Sequence, residues 1–391
     1  VVKLLLGILC AVSSASAADA PWQWSGSYGD KSVTLLLLGD VSVEQRADPA
    51  AAMVHVRDTL NRADLVYGNL EGLLVKSEGP DKDIPDKSGW QHIGPEAIQA
   101  LKAGNIQVVG LANNVAYGPA NIMKSLAVLD ANGIVHTGAG ANLEEAHKPA
   151  IVERKGVRIG FLQYTAKWYR EDQQIATATS PGVARVTSRD GITIDPADIE
   201  RVRQDIRALR PLVDIVVVSS HNRDGLGRVL TSAAPETKEP SDPAALVAPI
   251  PLGSRFSEAE PYEKQLAHAA IDAGADIVYG HGSHVLQGVE VYQGKPVMYC
   301  LGNFATDWIR MRPNKDGMVA RVVIQGKHVA RVSLVPVTRD TDHNNVLMLN
   351  PSDGEGAKLL QKVKDLSAGT PLRIDGQEVV LVENRLVSSR N

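Results

Sequence analysis

The chain has 391 residues, with 41 Lys and Arg against 45 Asp and Glu, a formal charge of −4 and 44% apolar residues. That length accommodates one large α/β domain with an addition, or two or three smaller ones. The weak acidity and lack of basic runs exclude a surface built to grip nucleic acid, a single long apolar run excludes a polytopic membrane protein, and only 3 Phe, 9 Tyr and 5 Trp are present to stack on bases or sugars.

Residues 1–17 combine Lys3, the apolar stretch Leu4 to Val12 and the ending Ser13-Ser14-Ala15-Ser16-Ala17. These are the three parts of an export signal, and the run is too short to span a bilayer. Cleavage is expected after Ala17, giving a periplasmic or extracellular protein, or a membrane-associated one where the signal is kept. Removal takes Cys10 and leaves Cys300 as the single thiol, which excludes an internal disulfide. Cys300 sits in the apolar run Val297 to Leu301 and is expected to be buried and inert.

Six short apolar runs closed by Gly or a polar residue then recur. Val33 to Leu38 precedes Gly39-Asp40, Leu65 to Tyr67 precedes Gly68-Asn69, and Val108 to Ala112 precedes Asn113-Asn114. Ile215 to Val218 precedes Ser219-Ser220-His221, Ile277 to Tyr279 precedes Gly280-His281, and Val297 to Leu301 precedes Gly302-Asn303. Runs of this kind predict strands buried on both faces. Helices are predicted between them: Pro95 to Ala103 stopped by Gly104, Leu126 to Asn132 before Gly133, a helix opened by Asp195-Pro196 that buries Ile199, Val202, Ile206 and Leu209, and Leu266 to Ala273 stopped by Gly274. Helix, Gly, strand and polar loop repeating in this order predict α/β layers with right-handed crossovers. Residues 223–258 carry five prolines and predict a long surface excursion. Beyond Asp316, strands at Val319 to Ile324 and Val329 to Val337, a helix at Ala357 to Leu366 and a strand at Val379 to Val382 predict a C-terminal extension or sheet completion, with residues 341–391 as the final unit.

In an open α/β sheet, ligands gather outside the carboxyl ends of the strands. Those ends carry Asp40, Asn69 with Glu71, Asn113 with Asn114, His221, His281 with His284, and Asn303. Carboxylates, amides and imidazoles together suit a pair of divalent cations, which can clamp both oxygens of a displacement at phosphorus. Singly the residues say less: Asp40 and Asn69 read as turn-holders, Glu71 as a loop charge, and His221 stands evenly between ligand and core histidine. The strongest local feature is Gly280-His281-Gly282-Ser283-His284, where two imidazoles three apart on a glycine-loosened loop can converge on one ion. His92, His136, His147, His268, His328 and His343 fall outside the pattern and are assigned surface or packing roles.

These residues carry a resemblance. The sequence resembles the CapA family of poly-gamma-glutamate (capsule) synthesis, a branch of the calcineurin-like metallophosphatase superfamily, through Gly39-Asp40, Asn69-Leu70-Glu71, Ala112-Asn113-Asn114, Gly138-Ala139-Gly140, Val216 to His221, the run from Gly280 to Gly288, and Tyr299-Cys300-Leu301-Gly302-Asn303-Phe304. The resemblance implies a four-layer α/β/β/α sandwich over residues 30–340 with a metal site at one edge. It implies metal ligands among Asp40, Asn69, Glu71, Asn114, His221, His281 and His284, with His284 favoured over His281, and substrate contacts from Asn113, Asn303 and Asp307; Arg223, which departs from the family pattern, is expected to add a fixed fork of donors for phosphate or carboxylate charge. The implied cofactor is divalent metal, two ions of Mn, Zn or Fe. The implied role is an exported protein of capsule or poly-gamma-glutamate biosynthesis acting as a metal-dependent phosphoester hydrolase. Its partners would be an anionic polymer or phosphoester and other capsule-synthesis membrane proteins, and not nucleic acid. A non-catalytic polymer- or partner-binding module is the alternative. The chain departs from the family pattern at Val115, where an imidazole is usual, at Asn222-Arg223 in place of Trp-Gly, and at Ser283 in place of Pro. Val115 cannot transfer a proton, so no catalytic residue is assigned.

Overall fold

The alternation of side chains along β1 (Val33–Ser42) sets the architecture. Val33, Leu35 and Leu37 face one apolar core, while Leu36 and Leu38 face another. A strand buried on both faces needs a covering layer on each side. The computed structural model describes residues 22, 24–80, 82–87, 89–188, 190–222, 258–308, 314–367 and 369–383. The expected export signal at 1–17, Arg223 and residues 223–257 of the proline-rich stretch lie outside the described residues.

Two large sheets form the inner layers. In the first, β1 runs parallel to β2 (Leu65–Leu70), followed by β3 (Val108–Gly110) and β4 (Val135–Thr137). In the second, β7 (Val157–Thr165), β9 (Ile215–His221), β10 (Ile277–His281) and β12 (Lys295–Met298) run parallel, flanked by antiparallel β6 (Ala150–Arg154) and β11 (Val289–Tyr292). A two-stranded pair, β5 (Ala139–Gly140) with β8 (Gly182–Val183), stands apart.

The inner faces of the two sheets meet through Leu35, Leu37 and Tyr67 on one side and Phe161, Val217 and Tyr279 on the other. Tyr67 and Phe161 stack with ring centroids 4.8 Å apart. The outer face of the first sheet is covered by helices at Ile98–Ala103 and Pro119–Ala131, and that of the second by Pro196–Leu209 and Pro261–Ala273. Helix, sheet, sheet and helix make the four-layer α/β/β/α sandwich. The helix of Pro196–Leu209 buries Ile199, Val202, Ile206 and Leu209, the expected face. Two helices start earlier than expected, at Pro119 and Pro261, because proline at the first helical position loses no hydrogen bond and presets the helical φ.

The run Val297 to Leu301, expected as one strand, is divided. β12 ends at Met298, the chain leaves the second sheet, and β13 (Asn303–Thr306) pairs parallel to β1 in the first. Apolar character persists through the crossing because both sheets bury it, so periodicity alone cannot reveal the change of sheet. Cys300 lies at the crossing, buried, and burial pushes its thiol up to about 12. After it, β14 (Gly317–Gln325) adds antiparallel to β1 and β15 (His328–Arg339) antiparallel to β14, with β16 (Val346–Met348), β17 (Arg373–Asp375) and β18 (Glu378–Glu383) beyond. Glu378, wholly buried, binds Arg321 at 3.0 Å and Arg331 at 3.3 Å, tying β18 into the same sheet.

Candidate metal centre

The register of the two sheets brings six strand ends to one edge. Asp40 lies level with Asn69 on one side and Asn303 on the other. Across the sandwich, Thr165, His221 and His281 lie level with one another. Gly39 permits the closeness, since a Cβ there would stand 2.1 Å from the carbonyl oxygen of Gly302. Gly282, with φ +94°, lets the chain turn between the two histidines of its loop.

Three ligand-type atoms from Asp40, Glu71 and His284, all buried, lie within 4.8 Å of one another. His284 Nδ1 is 3.5 Å from Asp40 Oδ2, and its Nε2 is 3.6 Å from Glu71 Oε1. Nδ1 also lies 3.0 Å from Asn303 Oδ1. An amide oxygen only accepts, so Nδ1 carries the proton and Nε2 of the neutral ring keeps its lone pair toward Glu71, the arrangement of a metal-ligating imidazole with its outer partner. His284 holds φ +58°, a left-handed backbone that costs a residue with a Cβ about 1–2 kcal/mol. Asp40 Oδ2 and Glu71 Oε1 are buried with no hydrogen-bond partner among the described residues. Two orphaned carboxylate oxygens aimed into one space fit a bound cation.

Electrostatics follows from the same geometry. Burial would push Asp40 up, but the close imidazoles of His281 and His284 outweigh it and hold the carboxyl well below the usual range. Glu71 is raised by burial, against the attraction of His284. Burial lowers His284, but Glu71 and Asp40 overcome it and raise the imidazole. A divalent cation placed here would favour the ionised Glu71 and the neutral His284 ring.

The remaining expected residues divide into neighbours and supports. His281 Nδ1 lies 3.1 Å from Asp40 Oδ1, and its ring packs edge-on against Tyr279. His221 Nε2 is 3.0 Å from Asn114 Oδ1 and 4.0 Å from Glu71 Oε1, and burial drives His221 well below its ordinary value. His221 and Asn114 thus satisfy each other beside Glu71. Asn69 is a hub: its Nδ2 donates to Asp40 Oδ1 at 2.7 Å, and its Oδ1 accepts from Gln163 at 2.9 Å and Asn113 at 3.3 Å. Asn113 also donates to the Leu70 carbonyl. Asp307 makes a two-pronged contact with Arg46, Nε to Oδ2 at 2.7 Å and Nη2 to Oδ1 at 2.8 Å, and accepts from Asn344 at 3.0 Å.

Several residues at this edge carried no sequence pattern. Gln163 spans the sandwich, its Nε2 on Asn69 and its Oε1 on the Ala112 amide at 2.8 Å. Tyr169 Oη accepts from Asn114 Nδ2 at 3.2 Å. Val115, at the position of the usual imidazole, is buried with Ile84, Trp90, Tyr117 and Trp308. In that cluster Lys87 is 2% exposed, its Nζ 4.3 Å from the ring centroids of both Trp90 and Trp308. Lys87 and Lys167 both act on Glu71, favouring its ionised form. Among the described residues, no helix is long and apolar enough to cross a membrane.

This chain is similar to several known proteins. The capsule biosynthesis protein CapA of Bacillus anthracis is 24% identical over 358 residues, covering 86% of this chain and 77% of that one. The PGA biosynthesis protein CapA of Bacillus subtilis is 26% identical over 323 residues, covering 80% and 73%. Among solved structures, a novel phosphatase from Mycoplasma pneumoniae superposes with a TM-score of 0.40 and 11% identity, covering 84% of this chain and 96% of that one. The model of the family described as bacterial capsule synthesis protein PGA_cap matches residues 34–239 and 236–308, most of the sandwich. The chain therefore belongs to the bacterial capsule synthesis family PGA_cap.

Proposed function

We propose that this protein serves capsule or poly-gamma-glutamate synthesis outside the cytoplasm through a divalent-metal-dependent hydrolytic site acting on a phosphoester. The observation that carries the reading is the convergence of Asp40, Glu71 and His284, with Asp40 Oδ2 and Glu71 Oε1 buried and unpartnered among the described residues. The ion would supply Lewis-acid polarisation of a phosphoryl oxygen and a lowered pKa for water. Asp40, Glu71 and His284 would hold it, with Asn303 fixing the His284 ring and Asn69 fixing Asp40. A second ion would draw on Glu71, Asn114 and His221, and would replace the contact that the last two now make.

Within this reading the chain's own groups bind and orient. Burial keeps His221 neutral, suited to a ligand or acceptor role at neutral pH. Val115 gives the site no proton donor at its position, so leaving-group protonation falls to solvent or to His281, whose Nε2 has no partner among the described residues. The test is hydrolysis of an aryl phosphate by chelated and Mn²⁺-loaded protein, wild type against His284→Ala. Turnover that needs both metal and His284 is expected. Stoichiometric metal without turnover would overturn the hydrolytic part and leave a metal-bearing binding module, the reading that Val115 favours.

A further inference from the structure

We propose that the cavity between the loop following β2 and the helix of Pro119–Ala131 is an anion-binding site, separate from the Asp40, Glu71 and His284 cluster, for a ligand that carries a phosphoryl or carboxylate oxyanion beside a hydrogen-bond donor. The cavity has a volume of about 460 Å³ and is lined by Lys76, Lys82 and His92 from the loop and by Asn121 and Lys124 from the helix. That volume is in the range of small-molecule sites. The three lysines are exposed, and none forms an ion pair among the described residues. Ammonium groups gathered on one concave wall repel one another, and an anion seated among them relieves that cost. Two carboxylates share the wall, Glu78 and Asp83, so three positive charges against two negative leave one in excess. Asp83 is turned into its own loop: Oδ1 accepts from the Glu78 N–H at 2.8 Å, and Oδ2 accepts from the Ser77 hydroxyl at 2.6 Å and the His92 N–H at 2.7 Å.

His92 is the second, independent sign. It is 1% exposed and lines the same cavity, and neither of its ring nitrogens has a hydrogen-bond partner among the described residues. Buried polar groups are nearly always paired, so an imidazole with both nitrogens unpaired at a cavity wall is costly as mere packing. Burial lowers His92 against the pull of Asp83 and Glu78, which keeps the ring neutral at pH 7. A neutral imidazole offers one N–H and one lone pair. The N–H suits an oxygen of the anion and the lone pair an adjacent O–H or N–H, so the ring reads both parts of such a ligand while the lysines match its charge. The wall is held in place without a ligand: the Leu74 N–H, in the same loop, donates to Ser125 Oγ of the helix at 3.0 Å. Lys76 and Pro95 also line a neighbouring cavity of about 610 Å³, which gives a longer acidic chain room to continue.

The site stands independently of the metal centre, so its test uses the metal-free full chain. Inorganic phosphate and N-acetylglutamate, each an oxyanion with a neighbouring donor, are titrated calorimetrically into wild type and variants. At least one of them is expected to bind the wild type. His92→Phe keeps a flat ring and removes both nitrogens, and is expected to weaken binding tenfold or more with a thermal midpoint equal to or above that of wild type. The double variant Lys82→Met with Lys124→Met, at exposed positions, is expected to weaken binding by a similar factor, and it decides the matter where His92→Phe does not fold. Tighter binding of phosphate assigns a phosphoryl ligand, and tighter binding of N-acetylglutamate an acidic amide. No binding of either anion to wild type, or unchanged affinity in the folded variants, overturns the inference. Binding that His284→Ala abolishes and His92→Phe spares would place the anion at the strand ends and overturn it as well.

Discussion

Gln163 is the test of how the two sheets hold the site. It is 1% exposed, and its amide makes two buried hydrogen bonds, donating to Asn69 Oδ1 at 2.9 Å and accepting from the Ala112 N–H at 2.8 Å. Gln163→Leu keeps nearly the same volume and deletes both. A buried polar group left without a partner costs about 1–3 kcal/mol. The Ala112 N–H bears that loss in full, whereas Asn69 Oδ1 keeps its contact from Asn113 at 3.3 Å and bears part of it. The sum is a destabilisation of about 2–4 kcal/mol. For a urea slope of about 3 kcal/mol per molar, the midpoint falls by roughly 1 M. Asn69 also loses one of the contacts that orient it toward Asp40, so metal affinity is expected to fall about 10- to 100-fold, the usual cost of an outer-shell change. Urea denaturation followed by tryptophan fluorescence and metal titration would measure the two effects. A midpoint shift below about 0.2 M would show that Gln163 is not the tie across the sandwich.

Three further outcomes follow from buried charges. Arg46→Leu removes the guanidinium from the Asp307 carboxylate, 4% exposed, but leaves it hydrogen bonds from Asn344 and the Glu44 N–H, and is expected to cost about 1.5–3 kcal/mol in urea denaturation. Metal stoichiometry should remain that of wild type, and loss of metal would place Asp307 within the ligand set. Glu263→Gln is expected to stabilise the protein at neutral pH, because burial, with the Glu260 carboxylate nearby, pushes Glu263 well above the usual range. Between the ordinary carboxylate pKa and that raised value, the unfolded chain is ionised while the folded one keeps its proton, so wild-type stability falls as pH rises by about 1.4 kcal/mol per unit. The variant should match wild type near pH 4 and exceed it at pH 7, and equal stability at both pH values would refute the argument. Metal uptake should favour proton release at low pH, since Glu71 and His284 both have raised pKa values and ligate only as carboxylate and neutral imidazole. Affinity measured calorimetrically should therefore rise with pH, and an affinity flat from pH 5 to 8 would contradict it.

The parts of the site that lay open in the sequence are those that depend on one strand each. Asp40, Asn69, His221 and His281 follow apolar runs, and parallel strands in register bring such ends to one edge whatever the loops do. What stayed hidden depends on partners distant in the chain. Gln163 reaches Asn69 across 94 positions, and Arg46 reaches Asp307 across 261, and neither spacing leaves a local pattern. Lys87, Trp90 and Trp308 come from irregular segments without period, so only the fold assembles their cage. The crossing at Cys300 was concealed for a related reason: both sheets bury the segment, and an apolar run has the same appearance in either one.

The central claim is that Asp40, Glu71 and His284 hold a divalent ion, and elemental analysis of the purified full chain tests it most directly. After loading with Mn²⁺ or Zn²⁺ and exhaustive desalting, the wild type should retain at least one equivalent. Asp40→Asn and His284→Ala, shown folded by circular dichroism, should retain none. A wild type that keeps no metal under any loading condition, or variants that keep as much as the wild type, would contradict it.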